Sequence, residues 1–262
     1  MMDMQFEELT EILSNMKIKT NSRLLASWAT EMHVPQDSLN AIRAFCLELE
    51  SQNREMVTST LLKMSRMPRK EPKTFDNFDC RALSDKQRHE LESLRSLSFI
   101  ESGRNIIFVG PPGTGKTHLA LAIGYACCKK GLKVYFIKMG ELKDKMEEAI
   151  RLGRTARFLS GLTKYSCLII DEVGYCEFNV EETRLFFQIV DRIDARGFGS
   201  VVITSNKEPN EWVNLFNEED ALECTLDRLT DNALFIKLIC NSYRGKKKEC
   251  TTWTLDSPIQ IN

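Results

Sequence analysis

The 262-residue sequence has no apolar run approaching the roughly 20 residues that cross a membrane. Its first residues, MMDMQFEELTEIL, are acidic, whereas a secretory signal starts with basic residues and an apolar stretch. Neither sign of charge is in surplus, because 36 Lys and Arg residues face 37 Asp and Glu residues. No global basic field therefore indicates a nucleic-acid partner. These absences predict a cytoplasmic protein with no membrane partner, in which any contact with nucleic acid is local.

The nine cysteines contain no C-x-x-C pair, which is the usual start of a zinc site. Most of them lie in apolar stretches, and Cys127 and Cys128 are neighbours that point apart on one predicted helix. We expect reduced, packed thiols rather than disulfides or zinc ligands. The three histidines, His33, His89 and His118, are far apart in the chain and predict no metal site.

What the sequence does contain is NIIFVGPPGTGKTHLALAIG at 105–124, which predicts an apolar strand, a glycine-rich turn and a helix. Its centre has the G-x-x-x-x-G-K-T spacing of a phosphate-binding loop. Glycines allow the tight bend that points several backbone N–H groups at a triphosphate, and the following helix adds its positive end. We expect the nucleotide to bind at Gly110, Pro111, Pro112, Gly113, Thr114, Gly115, Lys116, Thr117 and His118.

Two side chains of this loop have specific predicted tasks. Lys116 is expected to reach the β- and γ-phosphates, where its charge assists catalysis. Thr117 is expected to place its hydroxyl on Mg²⁺, which prefers oxygen ligands.

A second motif, CLIIDE at 167–172, carries two acids to the carboxyl end of a predicted strand. Ligands bind at that edge in open α/β sheets. Asp171 is expected to hold Mg²⁺ beside Thr117, directly or through a water molecule, and Glu172 to orient or deprotonate the attacking water. An apolar run followed by two acids is common by itself, and the phosphate-binding loop upstream makes it informative.

A third apolar run, VVITSN at 201–206, ends on Asn206 at the same predicted edge. Its amide is expected to hydrogen-bond the γ-phosphate or the attacking water. The alternative is an asparagine that only caps a turn.

The rest of the chain predicts two regions. Residues 1–66 are expected to form an all-helical N-terminal module that binds a partner or DNA, or merely packs, and the basic, proline-containing residues 67–74 a linker. From 75 onward strands alternate with helices, as in a parallel sheet flanked by helices. The predicted strands after the first are 133–137, 167–171, 200–205 and 233–238, and a basic helical pair covers 140–163.

GPPGTGKTHLALAIG, LIIDEVGY, VITSNKEPNEW, LDRLTDNA and NSYRGKK resemble, in order and approximate spacing, the IstB-like transposition-helper ATPases. These are related to the DnaC-type helicase loaders within the AAA+ class. The resemblance covers residues 75–248 and implies an AAA+ ATPase domain there, which hydrolyses ATP with Mg²⁺. The tail, 249–262, has no counterpart to which the resemblance assigns a role.

The resemblance also implies roles for basic residues. Arg228 matches an arginine finger that acts in trans in a homo-oligomer. Arg244 matches the second sensor arginine. The resemblance implies a catalytic role for both. The helical pair occupies the place where the family contacts double-stranded DNA. The candidates for that contact are Lys143, Arg151, Arg154 and Arg157.

Three functions remain open at this point. The first is an ATPase that assembles on duplex DNA and assists an IstA-like transposase in choosing its target. The second is a loader of a replicative helicase, which shares the ATPase core and differs in its partner. The third is a P-loop kinase acting on a small molecule. The acid pair Asp171 and Glu172 and the polar Asn206 disfavour it, because they suit hydrolysis.

Overall fold

The computed structural model describes residues 2–78, 85–216, 229–230, 233–240 and 250–256. The chain divides into two compact units, residues 1–60 and 61–262. Among the described residues, no helix is both long enough and apolar enough to cross a membrane.

The first unit is helical, as the apolar spacing predicts. It comprises α1 (Met2–Asn15), α2 (Ser22–Glu31) and α3 (Gln36–Met64), whose last residues continue into the second unit. Helix α2 begins after Asn21, whose side chain accepts a hydrogen bond from the Leu24 amide, an N-cap that satisfies an otherwise unpaired donor. Phe6, Ala29 and Leu39 form the small core of this unit.

The second unit contains a six-stranded sheet in the order β2-β3-β4-β1-β5-β6. The strands are β1 (Asn105–Val109), β2 (Val134–Lys138), β3 (Cys167–Val173), β4 (Ser200–Ser205), β5 (Ala233–Cys240) and β6 (Cys250–Asp256). Strands β1 to β5 pair in parallel, and β6 pairs antiparallel with β5. The five predicted strands and their parallel arrangement are confirmed. Strand β6, which lies in the tail without an assigned role, was not predicted.

Helices cover both faces of this sheet, which explains why its strands are apolar at nearly every position. Ile106 and Phe108 of β1 point to the face that packs on α6 (Lys116–Lys129), and Ile107 and Val109 point to the opposite face. The opposite face packs on α7 (Met139–Arg151), α8 (Thr155–Leu162) and α9 (Val180–Asp194). Two shorter helices, α4 (Asp85–Ser96) and α5 (Ser98–Glu101), precede β1, and a 3₁₀ helix (Pro209–Leu215) follows β4.

The segment between α3 and α4 is attached to the second unit. The Phe136 amide of the edge strand β2 donates to the Ser65 carbonyl at 2.8 Å. Met67, Phe75 and Phe78 are buried in the core on the α6 side of the sheet. The predicted linker, 67–74, therefore starts with the buried Met67 and is followed directly by the buried Phe75.

Candidate functional site

The glycine-rich loop between β1 and α6 has the backbone that its sequence predicts. Gly110, Gly113 and Gly115 have φ values of 149°, 83° and 96°, in the region that favours glycine. A Cβ on Gly110 would lie 2.2 Å from the Leu238 carbonyl oxygen of β5, so no other residue fits there without moving β5. Helix α6 begins after Gly115 with no side chain capping its first amides. Those amides and the helix dipole favour an anion at this loop.

Lys116 folds back across the loop that it follows. Its Nζ donates to the carbonyl oxygens of Gly110 at 2.6 Å and Pro111 at 2.8 Å, and the residue is buried. Thr114 is also buried, and its hydroxyl donates to the Pro111 carbonyl at 2.9 Å. The loop therefore encloses a cation beside an uncapped helix N-terminus, a donor set that suits the phosphates of a nucleotide.

Thr117 and Asp171 are brought together as predicted. The Thr117 hydroxyl donates to Asp171 Oδ1 at 2.8 Å, although the two residues are 54 positions apart. Asp171 is buried, and its Oδ1 also accepts from the Thr204 hydroxyl at 2.5 Å. A hydroxyl and a carboxylate side by side at the loop are the oxygen ligands that Mg²⁺ prefers, so these residues fit the predicted ion.

Asp171 and Glu172 face Thr204 through an irregularity in the sheet. Ile170 pairs with Ile203 and Val173 with Ser205, so two residues of β3 lie opposite one residue of β4. Glu172 takes a φ of 64°, which is unusual for a residue with a Cβ, and its amide donates to the Thr204 hydroxyl at 3.0 Å. At this bulge the two adjacent acids lie in different surroundings. Asp171 is buried, whereas the Glu172 carboxylate is half exposed.

Glu172 has a basic partner that no motif predicted. The Nζ of Lys138, the last residue of β2, lies 2.9 Å from Glu172 Oε2. The pairing follows from the sheet register, in which Lys138 is opposite Asp171. A charged residue ending an apolar strand was the available signal in the sequence.

Asn206 lies just past β4, and its amide nitrogen donates to the hydroxyl of Tyr175. Gly174, between β3 and Tyr175, has a φ of 118°, and a Cβ there would lie 3.3 Å from the Lys207 side chain. Ser205 is the last residue of β4 and precedes Asn206. Its hydroxyl donates to the Val173 carbonyl at 2.8 Å and accepts from the buried Trp212 indole at 3.1 Å. The Tyr175 contact extends this pairing beyond the strands, and no signal in the sequence marked Tyr175.

His118 contacts the segment that precedes the sheet. Its Nε2 lies 2.9 Å from the Thr74 carbonyl oxygen, and its ring meets the edge of Phe78 at a centroid distance of 5.2 Å. Burial lowers the pKa of His118, the Thr74 carbonyl opposes this effect, and the charge of Lys73 adds to it. The neutral ring anchors residues 74–78 on the first turn of α6, directly beside the loop.

The four residues predicted to contact DNA divide into two groups. Lys143 is partly buried, and its Nζ donates to the Glu177 carbonyl at 2.7 Å and lies 3.8 Å from Glu182 Oε2. The Arg151, Arg154 and Arg157 side chains, at the end of α7 and the start of α8, are exposed. The structure therefore gives Lys143 an internal partner and leaves the three arginines exposed.

Arg228 and Arg244, the predicted finger and sensor arginines, lie outside the described residues. Their roles stay predictions. Strands β5 and β6 pair at Cys240 and Cys250, and β5 runs parallel to β1, which the loop follows.

The model of the IstB-like ATP-binding proteins matches residues 13–251. The chain belongs to this family. The ATP-binding protein of insertion sequence IS5376 from Geobacillus stearothermophilus is 34% identical over 200 residues, which are 76% of this chain and 77% of the relative. The corresponding protein of IS21 from Pseudomonas aeruginosa is 31% identical over 244 residues, covering 92% of this chain and 90% of the relative. The replicative helicase loader DnaC of Escherichia coli is 28% identical over 237 residues, covering 87% of this chain and 88% of the loader.

Solved structures agree on the fold of this IstB-like protein. A crystal structure of the DnaC helicase loader matches with a TM-score of 0.52 and 20% identity, over 63% of this chain and 96% of that one. AMPPCP-bound DnaA from Aquifex aeolicus matches with a TM-score of 0.53 and 23% identity, over 64% of this chain and 50% of the DnaA chain. The predicted AAA+ fold is confirmed, and the chain spans about half of DnaA.

Proposed function

We propose that this IstB-like protein is an ATPase that assembles on duplex DNA and assists a transposase of the IstA-like kind. The observation that carries the ATPase part is the convergence of Lys116, Thr117, Asp171 and Glu172 at one edge of the sheet. The names of its relatives, which place them in insertion sequences, support the transposition context.

Each side chain has a task in hydrolysis. Lys116 moves from its loop carbonyls to the phosphates, and Thr117 and Asp171 are the side chains that would hold Mg²⁺. The ion, when bound, neutralises charge on the β- and γ-phosphates. Glu172, half exposed at the bulge, orients the water that attacks, and Asn206 donates to the γ-phosphate or to that water. ATP and Mg²⁺ are thus the proposed ligands.

Two arginines make the proposed hydrolysis depend on assembly into a homo-oligomer. Arg228 acts in trans as a finger on the nucleotide of the next subunit in a homo-oligomer, and Arg244 acts as a sensor in its own subunit. A guanidinium stabilises charge that builds on the transferred phosphoryl group, so a finger supplied by a neighbour makes hydrolysis depend on assembly.

The division of labour along the chain is part of the proposal. Residues 1–66 serve as a module for DNA or a partner, 67–74 link it, 75–248 form the ATPase domain and 249–262 the tail. Within the ATPase domain, Arg151, Arg154 and Arg157 contact DNA phosphates, which gives sequence-neutral, salt-dependent binding. Lys143 contributes only if it leaves Glu177 and Glu182.

The variant Glu172→Gln tests the function. It keeps the size of the side chain and removes the carboxylate, so we expect ATP binding to persist, hydrolysis to fall by about 100-fold or more and DNA-bound oligomers to accumulate. Sedimentation with ATP, with and without duplex DNA, measures the oligomers. Rapid dissociation of the variant from DNA contradicts the proposal. Wild type without ATPase activity contradicts it more broadly.

A second function is loading of a replicative helicase, favoured by the 28% identity with DnaC over most of both chains. It shares the ATPase core, so only the partner separates the two. Stable co-purification with a replicative helicase rather than with a transposase supports this alternative.

A further inference from the structure

A cavity of about 530 Å³ lies between α7 and α8, away from the glycine-rich loop. Its walls come from the last turns of α7, from α8, from Tyr135 near the start of β2 and from Tyr165, two residues before β3. Its volume falls within the range of sites that hold one small organic ligand. Arg154 and Arg157, two of the residues proposed to contact DNA, line this cavity, whereas Arg151 does not.

One side of the cavity is aromatic. The rings of Tyr135 and Tyr165 lie 4.9 Å apart between centroids at an angle of 35°, and the half-buried Phe158 of α8 lines the same cavity. Burial raises the pKa of Tyr165, which favours the neutral hydroxyl. The Arg66 guanidinium lies 5.7 Å from the centroid of the Tyr135 ring and donates to its hydroxyl, and Lys164 Nζ lies 5.3 Å from the centroid of the Tyr165 ring. Phe158 and the tyrosine faces turned away from these two cations are therefore the surfaces on which a planar ring system can stack.

The other side is positively charged. Lys145, Arg154 and Arg157 line the cavity against one carboxylate, that of Glu148, among the described residues. Neither arginine forms an ion pair with a described residue, whereas Lys145 lies 3.7 Å from Glu141. Arg154 is also the N-cap of α8, and no side chain caps the first amides of that helix. Two guanidinium groups beside an uncapped helix N-terminus suit a phosphate group.

We propose that this cavity takes one unpaired nucleotide, with its base on the aromatic wall and its phosphate at the start of α8. The inference rests on the proposed DNA binding and names the part of DNA that this site recognises. A base that stays paired and stacked presents only its edge in a groove, so it cannot fill a concave site of this size. A single-stranded stretch or an extruded nucleotide presents the whole ring and its phosphate.

The test compares three labelled duplexes of equal length: fully paired, with one extra unpaired adenosine, and with one extra abasic nucleotide. The abasic bulge has the added flexibility of the adenosine bulge but no base to insert. We expect fluorescence anisotropy to show about fivefold to tenfold tighter binding of the adenosine bulge than of the abasic bulge, the scale of one stacked base.

Phe158→Ala should abolish this difference while leaving affinity for the paired duplex unchanged. Phe158→Trp keeps an aromatic ring and should retain the difference, which guards against a folding defect in the alanine variant. Arg151→Ala is the matched control, because Arg151 is exposed but outside the cavity. It should weaken binding of all three duplexes by the same factor.

The outcomes separate this inference from the proposed function. No binding of any duplex by wild type overturns the DNA-binding proposal itself. Normal duplex binding with equal affinity for both bulges, or a difference that survives in Phe158→Ala, overturns only the nucleotide site. Two competitors identify the source of the ligand. Free deoxyadenosine monophosphate should displace the adenosine bulge but not the abasic bulge. This displacement should require millimolar concentrations. Selective displacement by a short polyglutamate peptide would assign the cavity to acidic protein segments and overturn the inference.

Discussion

Lys138 Nζ lies 2.9 Å from Glu172 Oε2, so the carboxylate proposed to act on water is paired with an ammonium group. Both side chains are about half exposed, and such pairs are worth about 0.2–1 kcal/mol. The pairing holds Glu172 towards β2 and offsets the negative charge that would polarise a water molecule. Glu172 must give up this partner to act in hydrolysis.

Replacing Lys138 with Met should therefore raise the basal rate of ATP hydrolysis. The expected rise is about twofold to fivefold, matching the free energy of an exposed ion pair. Stimulation by duplex DNA should shrink in proportion. Lys138→Arg keeps the charge and serves as the control. Steady-state phosphate release with and without DNA measures both effects, and a basal rate below wild type would contradict this role of Lys138.

Thr204 should be important for stability as well as for the site. Its buried hydroxyl donates to Asp171 and accepts from the Glu172 amide, so it holds both ends of the bulge. Thr204→Val keeps the shape and leaves these buried polar groups without that partner. We expect the free energy of unfolding to fall by about 1–3 kcal/mol, measured by urea denaturation. Thr204→Ser keeps the hydroxyl and should lose less. A loss in Thr204→Ser as large as that in Thr204→Val would contradict this, because it would show that the hydrogen bonds contribute no more than the methyl group.

The sequence predicted the elements that carry the site better than it predicted the contacts between them. Asp171 ends an apolar run, and the carboxyl ends of parallel strands meet at one edge, so its approach to Thr117 follows from topology alone. The partners Lys138 and Tyr175 depend on strand register and on the turn at Gly174, which no local pattern encodes. Strand β6 escaped prediction because an edge strand needs no continuous apolar run.

The pH dependence of stability should reveal the burial of the His118 ring. Burial lowers the pKa of His118 below its ordinary value of 6.5, so folding favours the neutral ring. The contribution is complete above the unfolded-state pKa and is lost as pH falls through the lower folded-state pKa. Urea denaturation at pH 7.5 and 5.5 should show a smaller decrease in the free energy of unfolding for His118→Gln than for wild type. An equal decrease would mean that other groups account for the acid sensitivity.

Tyr175→Phe should lower the rate of hydrolysis without weakening the binding of ATP. The Tyr175 hydroxyl accepts from the Asn206 amide and thereby fixes the plane of that amide just past the end of β4. One hydrogen bond contributes about 0.5–1.5 kcal/mol, so kcat should fall by about twofold to tenfold while KM for ATP stays near the wild-type value. Asn206→Ala should cost more. If Tyr175 acts only through Asn206, the double variant should be no slower than Asn206→Ala, whereas additive losses would show that Tyr175 acts on its own.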